Sequence, residues 1–73
     1  MIKTYTITPY HKNAGKLKSR EYKASPSDDF ISYRRERAKE KGWKFRKKRN
    51  EDVWIQESPN CVWEIRLDRV IGG

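Results

Sequence analysis

Apolar residues in this chain recur at every second position near both ends and at every third or fourth in the middle. Over residues 2–10, Tyr5 and Ile7 alternate with Thr4, Thr6 and Thr8, which predicts a strand with one apolar face and one threonine face. Asn13 and Gly15 within HKNAGK predict a hairpin turn, and residues 17–24 return as a second strand with Tyr22 and Ala24 inward. Ser25-Pro26-Ser27-Asp28-Asp29 then breaks the alternation. Ser25 suits a helix cap, Pro26 suits the first helical position, and Asp28 and Asp29 complement the positive helix terminus. The helix is expected to reach about Lys41 and stop at Gly42, which takes the left-handed conformation that helix ends favour. On its wheel Phe30, Ile31 and Ala38 share an arc with Tyr33 at the margin. Arg34, Arg37 and Lys41 fall in the same arc, so the apolar stripe is narrow, and those cations either run their stems over the sheet with the charges emerging at its edge or sit where the helix is only half covered.

After Gly42 the period returns to two. Trp43 and Phe45 alternate with Lys44 and Arg46, residues 49–52 turn the chain, and residues 53–57 form a short strand with Val53 and Ile55 inward and Trp54 and Gln56 outward. Ser58-Pro59-Asn60 turns again, and residues 61–69 carry Trp63, Ile65 and Leu67 on one face against Glu64, Arg66 and Asp68 on the other. The order ββαβββ predicts an α+β fold, with one helix packed across a four- to five-stranded, mainly antiparallel sheet. The expected core is Tyr5, Ile7, Tyr22, Phe30, Ile31, Ala38, Trp43, Phe45, Val53, Ile55, Trp63, Ile65 and Leu67.

Composition changes this picture in two ways. With 73 residues, of which 34% are hydrophobic and 38% charged, the chain is one small domain, 1–73, with a modest core; its nine aromatics separate it from disordered sequences. The opening MIKTYTITPY holds no continuous apolar run, so no signal peptide or membrane span is expected and the cytoplasm is the expected compartment. The second change is charge. Residues 34–49, RRERAKEKGWKFRKKR, hold ten Lys or Arg against two Glu, and their net +8 equals that of the whole protein. Like charges at this density repel, so the stretch costs stability unless a polyanion or an acidic surface neutralises it.

Catalysis has little to work with. His11 lies in a turn and Cys61 at a strand start with no orienting third group indicated, Asp28 and Asp29 diverge on a helix, and neither a phosphate loop nor metal-ligand spacing is present. Cys61, the lone cysteine, has no internal disulfide partner. No enzyme activity, cofactor or metal is expected. The chain reads instead as a non-catalytic binding protein, a monomer or weak dimer, that engages nucleic acid or an acidic surface of a host nucleic-acid-handling complex. The expected binding residues are Arg34, Arg37, Lys44, Arg46, Lys47, Lys48 and Arg49, with Trp54 as an exposed indole beside them. Lys44, Arg46 and Lys48 recur about 6.5 to 7 Å apart on one strand face, comparable with successive phosphates of a nucleic-acid strand.

Two families share features with this layout. The succession MIKTYTITPY, KLKSREYKA, SPSDDFISYRRERAKEKG, WKFRKKR, VWIQE and CVWEIRLD resembles some small anti-CRISPR proteins of phages, most of all in the YKAS entry to the helix and the Trp-bearing final hairpin. That resemblance implies a non-enzymatic inhibitor that occludes the nucleic-acid path of a surveillance complex or tethers the complex to DNA. The strand-strand-helix opening and the terminal Gly72-Gly73 resemble the ubiquitin family, in which the diglycine carboxylate is activated and conjugated; here a predicted hairpin replaces that family's long irregular segment after the helix.

Overall fold

The computed structural model describes residues 1–72 and contains seven elements: β1 (Ile2–His11), β2 (Gly15–Lys16), β3 (Arg20–Ala24), α1 (Phe30–Glu40), β4 (Lys44–Lys47), β5 (Val53–Glu57) and β6 (Cys61–Ile71). They form an α+β fold in which one helix packs on an antiparallel sheet of order β2-β1-β6-β5-β4, with β3 also paired to β1. Gly73, half of the terminal diglycine, lies outside the described residues.

The long antiparallel pair β1 and β6 is the spine. Their register places Tyr5 opposite Leu67 and Ile7 opposite Ile65, so both strands direct these residues toward the helix. Asp68 is an extra residue where the register shifts between Thr4 and Tyr5, and the Thr6 hydroxyl donates to its carboxylate. On the other side of β1, the expected second strand is broken. Pro9 has no amide to give the ladder, although its carbonyl still accepts the Leu17 N–H at 2.8 Å, and the pairing shifts by one residue between Tyr10–Lys16 and Ile7–Arg20. Residues 17–19 bulge out, and the Ser19 hydroxyl lies 2.7 Å from that of Thr8.

The helix starts later than the sequence predicts. Pro26 serves a tight turn instead of the first helical position: the Asp28 N–H donates to the Ser25 carbonyl at 3.0 Å, an arrangement that suits proline at the second turn position. Asp29 is the cap, accepting the Ser32 N–H at 3.2 Å and the Ser32 hydroxyl at 2.9 Å. At the other end Gly42 adopts φ 71°, and the Gly42 and Trp43 amides donate to the carbonyls of Lys39 (3.2 Å) and Ala38 (2.8 Å). This double bond closes the helix as its sequence predicts and aims Trp43 back at the sheet.

Phe30, Ile31 and Ala38 are the buried helix residues, and with Tyr5, Ala24, Trp54 and Ile65 they make the core. Ile7, Phe45 and Leu67 pack at its margin, and Trp43 and Trp63 are half-buried. Two inward assignments and one core assignment need correction. Tyr22 faces the helix as expected, opposite Tyr5 with its ring stacked on Phe30 at 4.4 Å and its hydroxyl donating to Asp28, but it stays exposed at the sheet margin. Val53 and Ile55 face away from the helix, because Trp54 pairs with Ile65 and Gln56 with Trp63 in the β5–β6 register. Trp54 therefore lies under the helix, 9% exposed and edge-on to Tyr5 at 6.2 Å. The larger apolar area of the indole outweighs the burial of Gln56, whose Oε1 finds no partner. Val53 is buried on the reverse face, at 4% exposed.

Phe30→Ala and Trp54→Ala should each cost roughly 3 to 5 kcal/mol, enough to unfold a domain of this size, as read by denaturant titration. Asp29→Ala should lower the denaturant midpoint at neutral pH. Its hydrogen bonds to Ser32 hold the Asp29 carboxyl below its ordinary pKa, so the stabilisation is present above the unfolded value and lost as pH falls through the folded one. The gap between wild type and variant should accordingly narrow in acid; a gap independent of pH would assign the cap no charge-dependent role.

Candidate binding surface

The sheet divides the basic residues between its two faces. Lys44 pairs with Glu57 and Arg46 with Ile55 across β4 and β5, so both point away from the helix, and Lys48 follows at the next position of the same alternation. Lys47 pairs with Trp54 and faces the helix side, its ammonium 6.0 Å from the indole centroid. Arg49 is exposed in the following turn, where Asn50 takes φ 61°. β4 is an edge strand, and cations there also keep a second chain from pairing with it. The expectation of one continuous surface is thus replaced by two. Trp54 belongs to neither, since the register turns it into the core.

The second surface lies along the flank of α1. Arg34 leaves the helix over the sheet with its guanidinium carbon 5.9 Å from the Phe30 ring centroid and 5.7 Å from that of Trp63. Trp63 stacks on Trp43 at 5.5 Å, and the Lys41 ammonium lies 5.1 Å from the Trp43 centroid. Arg34 therefore separates two clefts. The smaller, about 240 Å³, is bounded by Tyr33, Arg37, Lys41, Trp43, Gln56 and Trp63. The larger, about 700 Å³, opens toward the bulge after β2, where Lys18 and Arg20 join Arg34. Five cations line the two clefts and no carboxylate does.

Arg34 is the most unusual group here. Its Nε and Nη2 are buried and have no hydrogen-bond partner. Burial lowers the pKa of the guanidinium from its ordinary value; Tyr33 opposes that fall and Arg37 adds to it. The group stays charged at any accessible pH, so it carries a desolvation cost offset only by its aromatic neighbours. The same imbalance runs through the molecule. Among the described residues one ion pair forms, Arg66 with Glu64 at 3.8 Å, against 18 Lys and Arg in the sequence.

The β1–β6 register also brings His11 opposite Cys61, a proximity that sequence spacing did not reveal. His11 Nδ1 accepts the Asn13 N–H at 3.2 Å, and the free Cys61 thiol points to the Val62 carbonyl at 3.9 Å. Among the described residues no cluster of three or more His, Cys, Asp and Glu has metal-ligand geometry, and no helix is long and apolar enough to cross a membrane. No protein-family model, curated protein or solved structure matches this chain.

Arg34→Met should leave the denaturant midpoint unchanged or raise it, because a thioether of similar length keeps the packing on Phe30 and Trp63 and removes an unpaired buried charge. A midpoint drop equivalent to more than about 2 kcal/mol would show instead that the guanidinium stabilises the fold through its aromatic contacts.

Proposed function

We propose that this chain is a non-catalytic binding protein that attaches to a nucleic-acid-handling complex by direct protein–protein contact and occludes its nucleic-acid path. The observation that carries this reading is the make-up of the helix flank. Tyr33, 58% exposed, stands beside Arg34, Arg37, Trp43 and Trp63 around a recess. Tyr, Trp and Arg are the residues that dominate binding energy at protein interfaces, whereas lysines sparsely cover most basic surfaces. The flank's cations, with no carboxylate among them, call for an acidic protein surface, so the contact falls beside the basic nucleic-acid path and blocks it by bulk. The burial of Trp54 removes the indole that stacking on bases would use.

Direct phosphate binding is a second reading, favoured by the exposed Lys44 and Arg46 at two-residue spacing on the other face. Because the two surfaces lie on opposite faces of β4, they are separable by mutation.

Capture of partners by the tagged chain, with and without nuclease, tests the choice. The expected result is a protein partner retained after nuclease, weakened by about 2 kcal/mol in Tyr33→Ala and lost in Arg37→Glu, and little changed when Lys44, Arg46 and Lys48 are all reversed to Glu. Release by nuclease, loss in the triple reversal, and affinity falling with salt at a slope of about −0.7 to −0.9 per phosphate contact would establish the second reading instead.

A further inference from the structure

The larger cleft is built differently from the interface flank. Its origin is Pro9: the amide missing from β1 lets residues 17–19 leave the ladder, and the bulge carries Leu17 and Lys18 out to form a rim opposite the helix. The Lys18, Arg20 and Arg34 cations are interleaved with the apolar Ile7, Pro9, Leu17 and Trp63: Ile7 stands opposite Arg20 in the ladder, and the Trp63 ring lies beneath the Arg34 guanidinium. A volume of about 700 Å³ is within the roughly 300 to 1,000 Å³ range of small-molecule sites.

We propose that this cleft binds a nucleoside phosphate, with the phosphate held by Arg34, Arg20 and Lys18 and the base laid against Trp63 and the apolar side chains beside it. Three cations with no carboxylate among them call for a ligand bearing two or more negative charges on one group, which a phosphate does and a side-chain carboxylate does not. The Arg34 Nε and Nη2 are buried without partners, so an entering anion meets the group through Nη1, and its charge offsets a desolvation cost already present in the free protein. An inorganic anion would leave Ile7, Leu17 and Trp63 wet, whereas the flat face of a base covers part of them. The same chemistry comes from a free nucleotide or from a nucleic-acid strand. The site needs no protein partner, so its test is independent of the proposed function.

The purified chain is titrated with adenosine and uridine monophosphates and triphosphates, inorganic phosphate, pyrophosphate, and a short single-stranded oligonucleotide, followed by amide NMR and tryptophan fluorescence. Saturable shifts confined to residues 17–20, Arg34 and the Trp63 indole are expected, with at least one nucleotide binding tenfold or more tightly than the inorganic anion of equal phosphate number. Arg34→Gln and Arg20→Gln should each weaken that binding about tenfold, while Arg69→Gln, exposed near the end of β6, changes it less than twofold. Arg34→Lys should recover part of the loss; if Arg34→Gln does not fold, Arg20→Gln carries the comparison. Tighter binding of the oligonucleotide at the same residues assigns a strand as the source, and equal or tighter binding of the mononucleotides assigns a free nucleotide; either supports the site. Equal affinity for nucleotide and inorganic anion, shifts spread over all basic residues, or the absence of saturable shifts would overturn it.

Discussion

A mismatch of length governs this molecule. The two central strands hold ten and eleven residues at about 3.3 Å each, whereas the eleven-residue helix, rising about 1.5 Å per residue, crosses the sheet from Phe30 over Tyr5 and Tyr22 to Arg35 beside Phe45 and covers only a band of each strand. What it covers becomes the core of Tyr5, Phe30, Ile31, Trp54 and Ile65. What it leaves open includes Ile7, Pro9 and Trp63, on the same apolar face but beyond its reach. Arg34 lies at the boundary, where the helix stops excluding water on one side and the sheet continues. Both clefts follow from that geometry, because each is a strip of helix-side sheet that no second element covers.

The boundary is also where the stability of the free protein and the proposed anion binding are opposed. A small domain with a single core has little stability to spare, yet it keeps a guanidinium partly desolvated between Phe30 and Trp63 with two nitrogens unpaired. It keeps most other cations free of acidic neighbours as well. Fold stability alone would favour Met or Leu at position 34 and acidic residues beside Arg20 and Arg37. An external anion changes that balance, since neutralisation then arrives with the ligand and the same repulsion that weakens the free protein strengthens the complex.

The elements legible in the sequence were those where one period had one solution. Phe30, Ile31 and Ala38 mark the buried helix stripe, the Trp63–Ile65–Leu67 row faces the helix, and Gly42 ends it, because no competing pattern of comparable strength exists at those positions. The misread elements had two. In β5 every position from Val53 to Gln56 can be buried, so alternation fixes the spacing of the faces but not which one meets the helix. The ladder to β6 decides that, and it decided for Trp54. The cap was ambiguous for the same reason: Ser25 and Asp29 are both capping residues, and Pro26 serves a turn as well as a helix start. Pro9 was a signal passed over. A proline within a long strand flanked on both sides must disrupt one ladder, and that disruption built the rim of the larger cleft.

The candidate site was half legible for a related reason. Charge is a property of sequence, so the density at residues 34–49 is visible at once, but its direction in space depends on which alternating residue faces the helix. Reversing β5 moved Trp54 into the core, away from Lys44 and Arg46, which β4 displays on the face opposite Phe45 as its alternation predicts. It also changed which aromatics meet the cations: Trp63 and Trp43, assigned to the core by their alternation, are the rings beneath Arg34 and Lys41. Lys18 and Arg20, distant in sequence from the basic stretch, join it only because the bulge turns them toward the helix. A run of basic residues therefore shows how much charge a chain carries, while the surface that charge occupies is set by the few apolar contacts that fix strand register.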